Sequence, residues 1–445
     1  MRAFKFYLFI ASIVFILIGC SNNTIIELPL TSISGYGPFN TAFAVLQPYS
    51  EEESNPWKKT YLKVNGVPLD LTDLIFGDID IDIYQDVYQN YLSGNISREM
   101  YYSIQKSWDW EPDTFNLSKE PVKCKIAFAF GKDSTGTGIL IVDTNNNLDL
   151  SDEEPFIPID LNSITNIDKD SIVFEYSVRV LFETSHNNKK VVDSTLIFIA
   201  YMKRSNMLMY NFPQYSTAEF EGEQIAVCSD NFTNLIFDNP IIALGSDLDK
   251  IENRKLLKKN EYLEVHGEIY RIIGVNRFRK SLMLEQTELP KHELYSTQVG
   301  YKPYPFGGSD FIRNSRLLLE DFEGKYVYLD FWGHFCKPCI QELPRVTELY
   351  NKVDTTKIEF IGIACDTPPN VLEELINDLS VTWPQIVSDH SNNIKEKYGI
   401  NSFPTTFLLN PEGIIIEKGL RGKALEKRVL EILELNGKEP DDYMN

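Results

Sequence analysis

The chain predicts a two-part fold: a mostly-β region, sandwich or meander, followed by an α/β region whose central sheet carries helices on both faces. Three observations predict it. From about residue 24 to 290, short apolar runs are punctuated by Asn, Asp, Gly and Lys clusters, the pattern of strands and turns. A stretch rich in Pro and Gly, Gly300-Tyr301-Lys302-Pro303-Tyr304-Pro305-Phe306-Gly307-Gly308, then interrupts regular structure. Beyond it, strand-like and helix-like periodicities alternate, as they do in β-α-β units.

A length of 445 residues implies two or three domains. With 43% hydrophobic and 24% charged residues, the composition is globular and not disordered. The 43 basic and 64 acidic residues leave a net charge of -21. That balance lacks the basic face that nucleic acid requires and fits a self-repelling surface.

The N-terminus reads as an address. Arg2 and Lys5 precede an apolar run over 6–18, shorter than the roughly 20 residues of a spanning helix, so an export signal is predicted. Leu17-Ile18-Gly19-Cys20 resembles a bacterial lipobox. The resemblance implies cleavage before Cys20 and several acyl chains on that residue, which stable anchoring requires. A plain signal peptide with a chance Cys is the competing reading. The expected location is the cell envelope, lipid-anchored and facing the periplasm, where disulfides persist.

Signal peptide 1–19, mostly-β region 20–290 (one or two domains), linker 291–310 and α/β region 311–438 form the expected organisation. Strands are predicted over 125–130, 138–142, 171–176, 194–199 and 267–273, and helices near 84–92 and 96–105. In the α/β region a strand is expected over 327–331. Cys339, Leu343, Val346, Leu349, Tyr350 and Val353 then mark one face of a helix. A second strand follows over 360–364, and Val371, Leu372, Leu375, Ile376 and Leu379 mark a second helix. Runs over 406–409 and 414–416 flank the turn Asn410-Pro411-Glu412-Gly413 as a hairpin. Leu425, Val429, Ile432 and Leu433 form a closing helix.

Chemistry concentrates at Cys336-Lys337-Pro338-Cys339, directly after Tyr326-Val327-Tyr328-Leu329-Asp330-Phe331-Trp332. A thiol at a helix start meets the partial positive charge of the helix N-terminus, and Lys337 adds another; both favour thiolate. Thiolate is the nucleophile of disulfide exchange, so a reactive dithiol is predicted.

Together with two further features, this segment resembles the thioredoxin superfamily, in particular the membrane-tethered thiol-disulfide oxidoreductases of the TlpA/ResA type. The resemblance covers residues from about 300 to 438 and implies a thioredoxin-like fold. It implies that Asp330 lies buried beneath the second Cys and exchanges a proton with it. Burial would raise its pKa toward that of a usable base; an Asp merely ending a strand is the plainer reading. Pro344 matches a Pro within the active-site helix. Phe403-Pro404-Thr405 matches a cis-Pro setting that faces the dithiol, with the Phe403 backbone placed to bind substrate peptide as a strand. Cys336 is then the attacking thiolate and Cys339 the resolving thiol. Trp332, Phe335 and Phe403 form an apolar collar, with Lys337 and Pro338 on the substrate face, although Trp332 equally reads as packing. His334 either turns inward or is simply exposed.

Departures accompany the match. Thioredoxins place a Lys on the next strand, and 360–364 contains none. The longer segment 366–393 fits the extra strand and helix of the tethered subfamily. Xaa-Pro before the second Cys resembles reducing members, and a reductase needs a membrane thiol electron donor. The resemblance implies protein disulfides as substrates and no cofactor beyond the redox-active pair Cys336-Cys339.

Asp143-Thr144-Asn145-Asn146-Asn147-Leu148-Asp149-Leu150-Ser151-Asp152-Glu153-Glu154 resembles a calcium loop, with Asp143, Asn145, Asn147, Asp149 and Glu154 as candidate ligands. Leu148 stands where Gly makes the sharp turn and no flanking helix pair is seen, which favours a solvated acidic loop. Cys124 and Cys228 either pair or remain buried thiols, and Cys365 reads as a buried strand-end thiol. Two other functions compete: a non-enzymatic envelope binding lipoprotein acting through the β region, and a thiol peroxidase. For the latter, Gly333-His334-Phe335-Cys336 lacks the Thr-x-x-Cys setting.

Overall fold

The computed structural model describes residues 24–67, 70–163, 175–186, 189–245 and 256–435. Cys20, the export signal and residues 171–174 of one expected strand lie outside them.

The strand Tyr326–Trp332 organises the C-terminal half. It pairs in parallel with Ile358–Cys365 and antiparallel with Thr405–Leu409. Seven strands form the sheet, in the order 315–318, 307–310, 385–388, 358–365, 326–332, 405–409, 415–418. Val327, Leu329 and Phe331 face one apolar layer, and Tyr328 and Trp332 the other, as a period of two requires. The second layer is covered by the helices Lys337–Tyr350, Pro369–Asp378 and Gly422–Leu435 through Leu343, Val346, Leu372, Leu425 and Val429. The first is covered more thinly, by the short helix Ile394–Lys397 with Tyr398, Ile400 and Phe306. Both faces carry helices, as expected, but unequally. The segment 366–393 supplies the extra helix Pro369–Asp378 and strand Gln385–Ser388.

Among the described residues before 290, the strands form four antiparallel sheets. The three-stranded sheet Thr72–Asp80, Lys125–Lys132, Gly138–Val142 packs Ile79, Phe128 and Val142 against Val180, Ile197 and Leu208 of a four-stranded sheet. A second pair of sheets buries Val227 and Ile242 against Leu263, Ile272 and Leu282. The N-terminal strand Ile25–Pro29 closes the latter pair by lying along Ser281–Thr287. Helices Ile83–Leu92 and Arg98–Trp108 begin with side-chain caps from Asp82 and Ser97. Beneath them Lys125, 6% exposed, reaches Asp78 at 2.9 Å, Asp86 at 3.7 Å and the Thr60 carbonyl at 3.0 Å. That buried cation ties the first helix to the sheet, because removing it would strand two carboxylates.

The stretch expected as a linker is folded. Tyr295 and Lys302 form a β-bridge, and the strand Gly307–Asp310 already belongs to the C-terminal sheet. Gly300 N donates to the Ile415 carbonyl at 2.8 Å, and Ile415 N to the Tyr301 carbonyl at 3.0 Å. On its other side Tyr301 stacks on Tyr262 at 5.1 Å, and its hydroxyl donates to Glu264 at 2.9 Å. Buried Gln298 accepts from Tyr262 N at 2.7 Å and donates to the Tyr262 carbonyl at 2.8 Å. Residues 298–301 therefore strap the C-terminal sheet to the hairpin containing Tyr262. Gln298→Ala would leave both backbone groups of Tyr262 buried and unpaired. A loss of about 2–4 kcal/mol is expected, read as a lower urea midpoint; an unchanged midpoint would show that the strap adds no stability.

Candidate active site

Tyr326–Trp332 ends where its apolar alternation stops, and the turn Gly333-His334-Phe335 carries the chain to the helix Lys337–Tyr350. Cys336 is the N-cap of that helix; its sulfur accepts from Cys339 N at 3.2 Å, and its backbone N–H bonds the Gly333 carbonyl at 3.0 Å. The two cysteines form a disulfide, with Cα atoms 5.2 Å apart. Cys336 is 6% and Cys339 3% exposed, so the pair lies at the edge of the core with Cys336 outermost. Pro338 occupies the first turn, where no intrahelical donor is lost, whereas Pro344 removes one from the helix interior.

Thr367, on the loop after Ile358–Cys365, holds the turn in place. Its hydroxyl accepts from His334 N at 3.1 Å and donates to the Cys365 carbonyl at 2.9 Å. A Cβ at Gly333 would come within 3.0 Å of that same carbonyl, so this close approach calls for Gly. His334 is exposed, its ring edge-on to Phe335 at 5.3 Å.

Facing the dithiol turn is the loop that ends in the cis peptide Phe403-Pro404. Phe335, 56% exposed, meets Phe403 edge-on at 5.6 Å. Lys337 and Pro338 are exposed on the same turn. Of the expected collar, Phe335 and Phe403 thus meet at the surface and Trp332 does not. Trp332 is 1% exposed, and its indole N–H donates to Gln385 Oε1 at 3.0 Å. Strand alternation turns it inward, so its placement in the collar is corrected to the packing alternative.

Asp330 shares the inward face with Tyr328 and Trp332, beneath the active-site helix. It is buried, and among the described residues its Oδ1 has no hydrogen-bond partner. Burial first, and then the negative charge of Glu342, push its carboxyl up to about 7, against a smaller downward pull from Arg421. Gly362 pairs with Asp330 on the neighbouring strand, where thioredoxins carry a cation. Gln385 fills the space above that glycine: a Cβ at 362 would lie 2.1 Å from Gln385 Oε1. The neighbour of the buried acid is therefore a neutral amide.

Sequence reading missed Glu342, Arg421, Gln385 and Thr367. Glu342 left a signal, because three residues after Cys339 it shares that residue's helix side. Its Oε1 accepts from Gly422 N at 2.5 Å, joining the active-site helix to the start of Gly422–Leu435. A cleft of about 570 Å³ opens there, lined by Pro338, Glu342, Arg345 and Arg421. Both charges that act on Asp330 line it.

In the β region, the Asp143 carboxylate accepts from Asn147 N at 3.0 Å and Leu148 N at 2.9 Å. Leu148 adopts φ 66°, the conformation for which a Gly was expected. Asn145 and Asn147 both donate their amides to Asp152, at 3.0 and 2.9 Å. Glu154 is exposed, while the adjacent Glu153 accepts from Thr144 N at 2.7 Å. Among the described residues no cluster of three or more His, Cys, Asp or Glu could hold a metal ion. Cys124, Cys228 and Cys365 are free, buried thiols, so Cys124 and Cys228 do not pair. Burial raises Cys228 and Cys365 to about 12 and pushes Cys124 well above the ordinary thiol range, which disfavours the reactive thiolate at all three.

The raised carboxyl sets a pH dependence. Folded Asp330 holds its proton more tightly than the unfolded chain, so it costs nothing below about pH 4 and destabilises progressively up to about pH 7. Asp330→Asn is expected to stabilise the oxidised protein by about 2–4 kcal/mol near pH 8 and by almost nothing near pH 4. Denaturant titrations at the two pH values decide it, since an equal effect at both would rule out the buried charge as the cause.

The AhpC/TSA family model matches residues 312–418. Thiol-disulfide oxidoreductase ResA of Halalkalibacterium halodurans is 35% identical over 124 residues, 28% of this chain and 69% of that protein. ResA of Bacillus thuringiensis subsp. konkukian is 30% identical over 123 residues, covering 28% and 70%. Among solved structures, the thioredoxin domain of a thiol-disulfide oxidoreductase from Bacteroides vulgatus shares 30% identity, with a TM-score of 0.29 over 31% of this chain and 99% of that one. A thiol:disulfide interchange protein from Bacteroides sp. shares 27% identity, with a TM-score of 0.29 over 32% and 93%. On the two ResA relatives, each matched over more than two thirds of its length, the chain belongs through its C-terminal α/β region to the ResA-type thiol-disulfide oxidoreductases.

Proposed function

We propose that this protein is a lipid-anchored envelope disulfide reductase acting on protein substrates through Cys336 and Cys339. The observation that carries the reading is the disulfide at the N-terminus of the active-site helix, set over a buried acid raised to about 7.

In the reduced enzyme the Cys336 thiolate attacks one sulfur of a substrate disulfide. A mixed disulfide forms and the substrate's other sulfur leaves as thiolate. Cys339 then loses its proton, with Asp330 as acceptor, and attacks the Cys336 sulfur. The mixed disulfide breaks, the second substrate thiolate leaves, and the enzyme ends with the Cys336–Cys339 bond. Two electrons have passed to the substrate, and a membrane dithiol donor, itself oxidised to a disulfide, re-reduces the Cys336–Cys339 bond by the same exchange in reverse. The helix N-terminus and Lys337 favour the first thiolate. The edge beside Pro404 and the apolar pair Phe335 and Phe403 offer an extended peptide a seat, with backbone pairing at Phe403.

Anchoring rests on the lipobox-like segment at Cys20. Among the described residues no helix is long and apolar enough to cross a membrane. Cys20→Ala is expected to move the protein from the membrane pellet to the soluble fraction and to end labelling by radioactive palmitate; labelling that persists would refute the anchor.

Insulin reduction tests the chemistry. Cys336→Ser should lower turnover by about 100-fold or more with the fold retained. Cys339→Ser should instead accumulate a mixed disulfide with its client, visible on non-reducing gels. Turnover that survives Cys336→Ser would sink the assignment, and efficient hydrogen peroxide consumption would point to a peroxidase.

A further inference from the structure

A cavity of about 560 Å³ lies in the β region, far along the chain from the dithiol. Its size falls within the roughly 300–1,000 Å³ range of small-molecule sites. Three sheets wall it, through Ser32 and Ile33, through Arg179 and Phe182, and through the hairpin end around Arg277. Buried Ile81 and Phe182 form an apolar floor.

The charged lining runs against the rest of the molecule. In a chain with a net charge of -21, the cavity presents three full cations, Arg179, Arg277 and Lys280, to two carboxylates, Asp82 and Asp193. Each carboxylate is already engaged. Arg277 meets Asp82 at 3.0 Å, and Lys280 meets Asp193 at 3.2 Å. Arg179 has no carboxylate within ion-pairing distance among the described residues; its contact is a long one to the Ser194 hydroxyl, 3.4 Å. Among the described residues, one guanidinium on the cavity lining is therefore left without an ion pair.

A second observation is independent of charge. Phe237 lines the same cavity at φ 58°, a region that a bulky aromatic side chain rarely adopts. Its N–H is fixed to the Ser229 hydroxyl at 2.9 Å. Such backbone costs on the order of 1–3 kcal/mol and clusters at ligand sites.

We propose that this cavity binds an amphipathic monoanion, an aliphatic chain ending in a carboxylate, with the chain on the Ile81 and Phe182 floor and the head on Arg179. The site is separate from the dithiol, and its occupancy does not depend on the redox assignment.

Dansyl-undecanoic acid and its methyl ester, titrated into the full chain, test it by fluorescence. The acid is expected to bind saturably and to be displaced by dodecanoate but not by dodecyltrimethylammonium. Arg179→Gln should weaken the acid about tenfold, the worth of a charge-assisted contact, and leave the ester unchanged. Arg179→Glu should weaken the acid further and let the cationic amphiphile compete. Arg179 is exposed on its strand, so an unchanged melting midpoint is expected for both variants and separates lost binding from lost fold. The proposal fails if the acid does not saturate, or if acid and ester respond alike to the Arg179 substitutions.

Discussion

Asp330 has nowhere else to go. Its strand is paired on both sides, in parallel with 358–365 and antiparallel with 405–409, and that pairing fixes which residues look inward. A slip by one residue would exchange Tyr328 and Trp332 for Leu329 and Phe331 and undo both apolar layers. The same register that builds the sheet therefore holds a carboxylate in the helix-side core. The turn at the strand's end then delivers Cys336 to the helix N-terminus. Fold and reactivity rest on one pattern of alternation, with the acid as its cost.

Much of this half could be read directly. Alternation in 326–332, spacing in the helices and the two cysteines at the strand-helix junction are local signals, and local signals survive into the folded chain. The relation of Gln385 to Asp330 is not local. It requires Gly362 to leave a space, Gln385 to fill it from a third strand, and Trp332 to lend its N–H. Each residue alone looks unremarkable. The inward turn of Trp332 was masked for a similar reason: an aromatic beside a reactive dithiol reads as well for a collar as for a core.

Before residue 290 the balance shifts. Strands near 125–130, 138–142, 194–199 and 267–273 and both helices were legible, because short apolar runs and turn chemistry mark them, whereas 175–176, the described end of the strand expected over 171–176, is helical. Sheet membership was not. Leu28 and Ser32 lie four residues apart yet pair with strands near residues 282 and 216, in different sheets. Nor does periodicity disclose buried charge. Lys125 opens an apolar run, and only the tertiary arrangement brings Asp78 and Asp86 to it. Composition also misled at 291–310. Pro and Gly do break regular elements there, but irregular backbone can be as firmly held as a strand when its N–H and C=O groups find partners.

The strap at 298–301 bears on modularity. Here the incoming chain zips onto Ile415, the start of the sheet's last strand, while its aromatic side locks onto Tyr262 of the β body. A transplant cut at the Pro-rich stretch would sever a seam common to both halves. Natural recombination would have to carry the strap along with the hairpin it grips, so exchange between scaffolds is constrained at the joint itself.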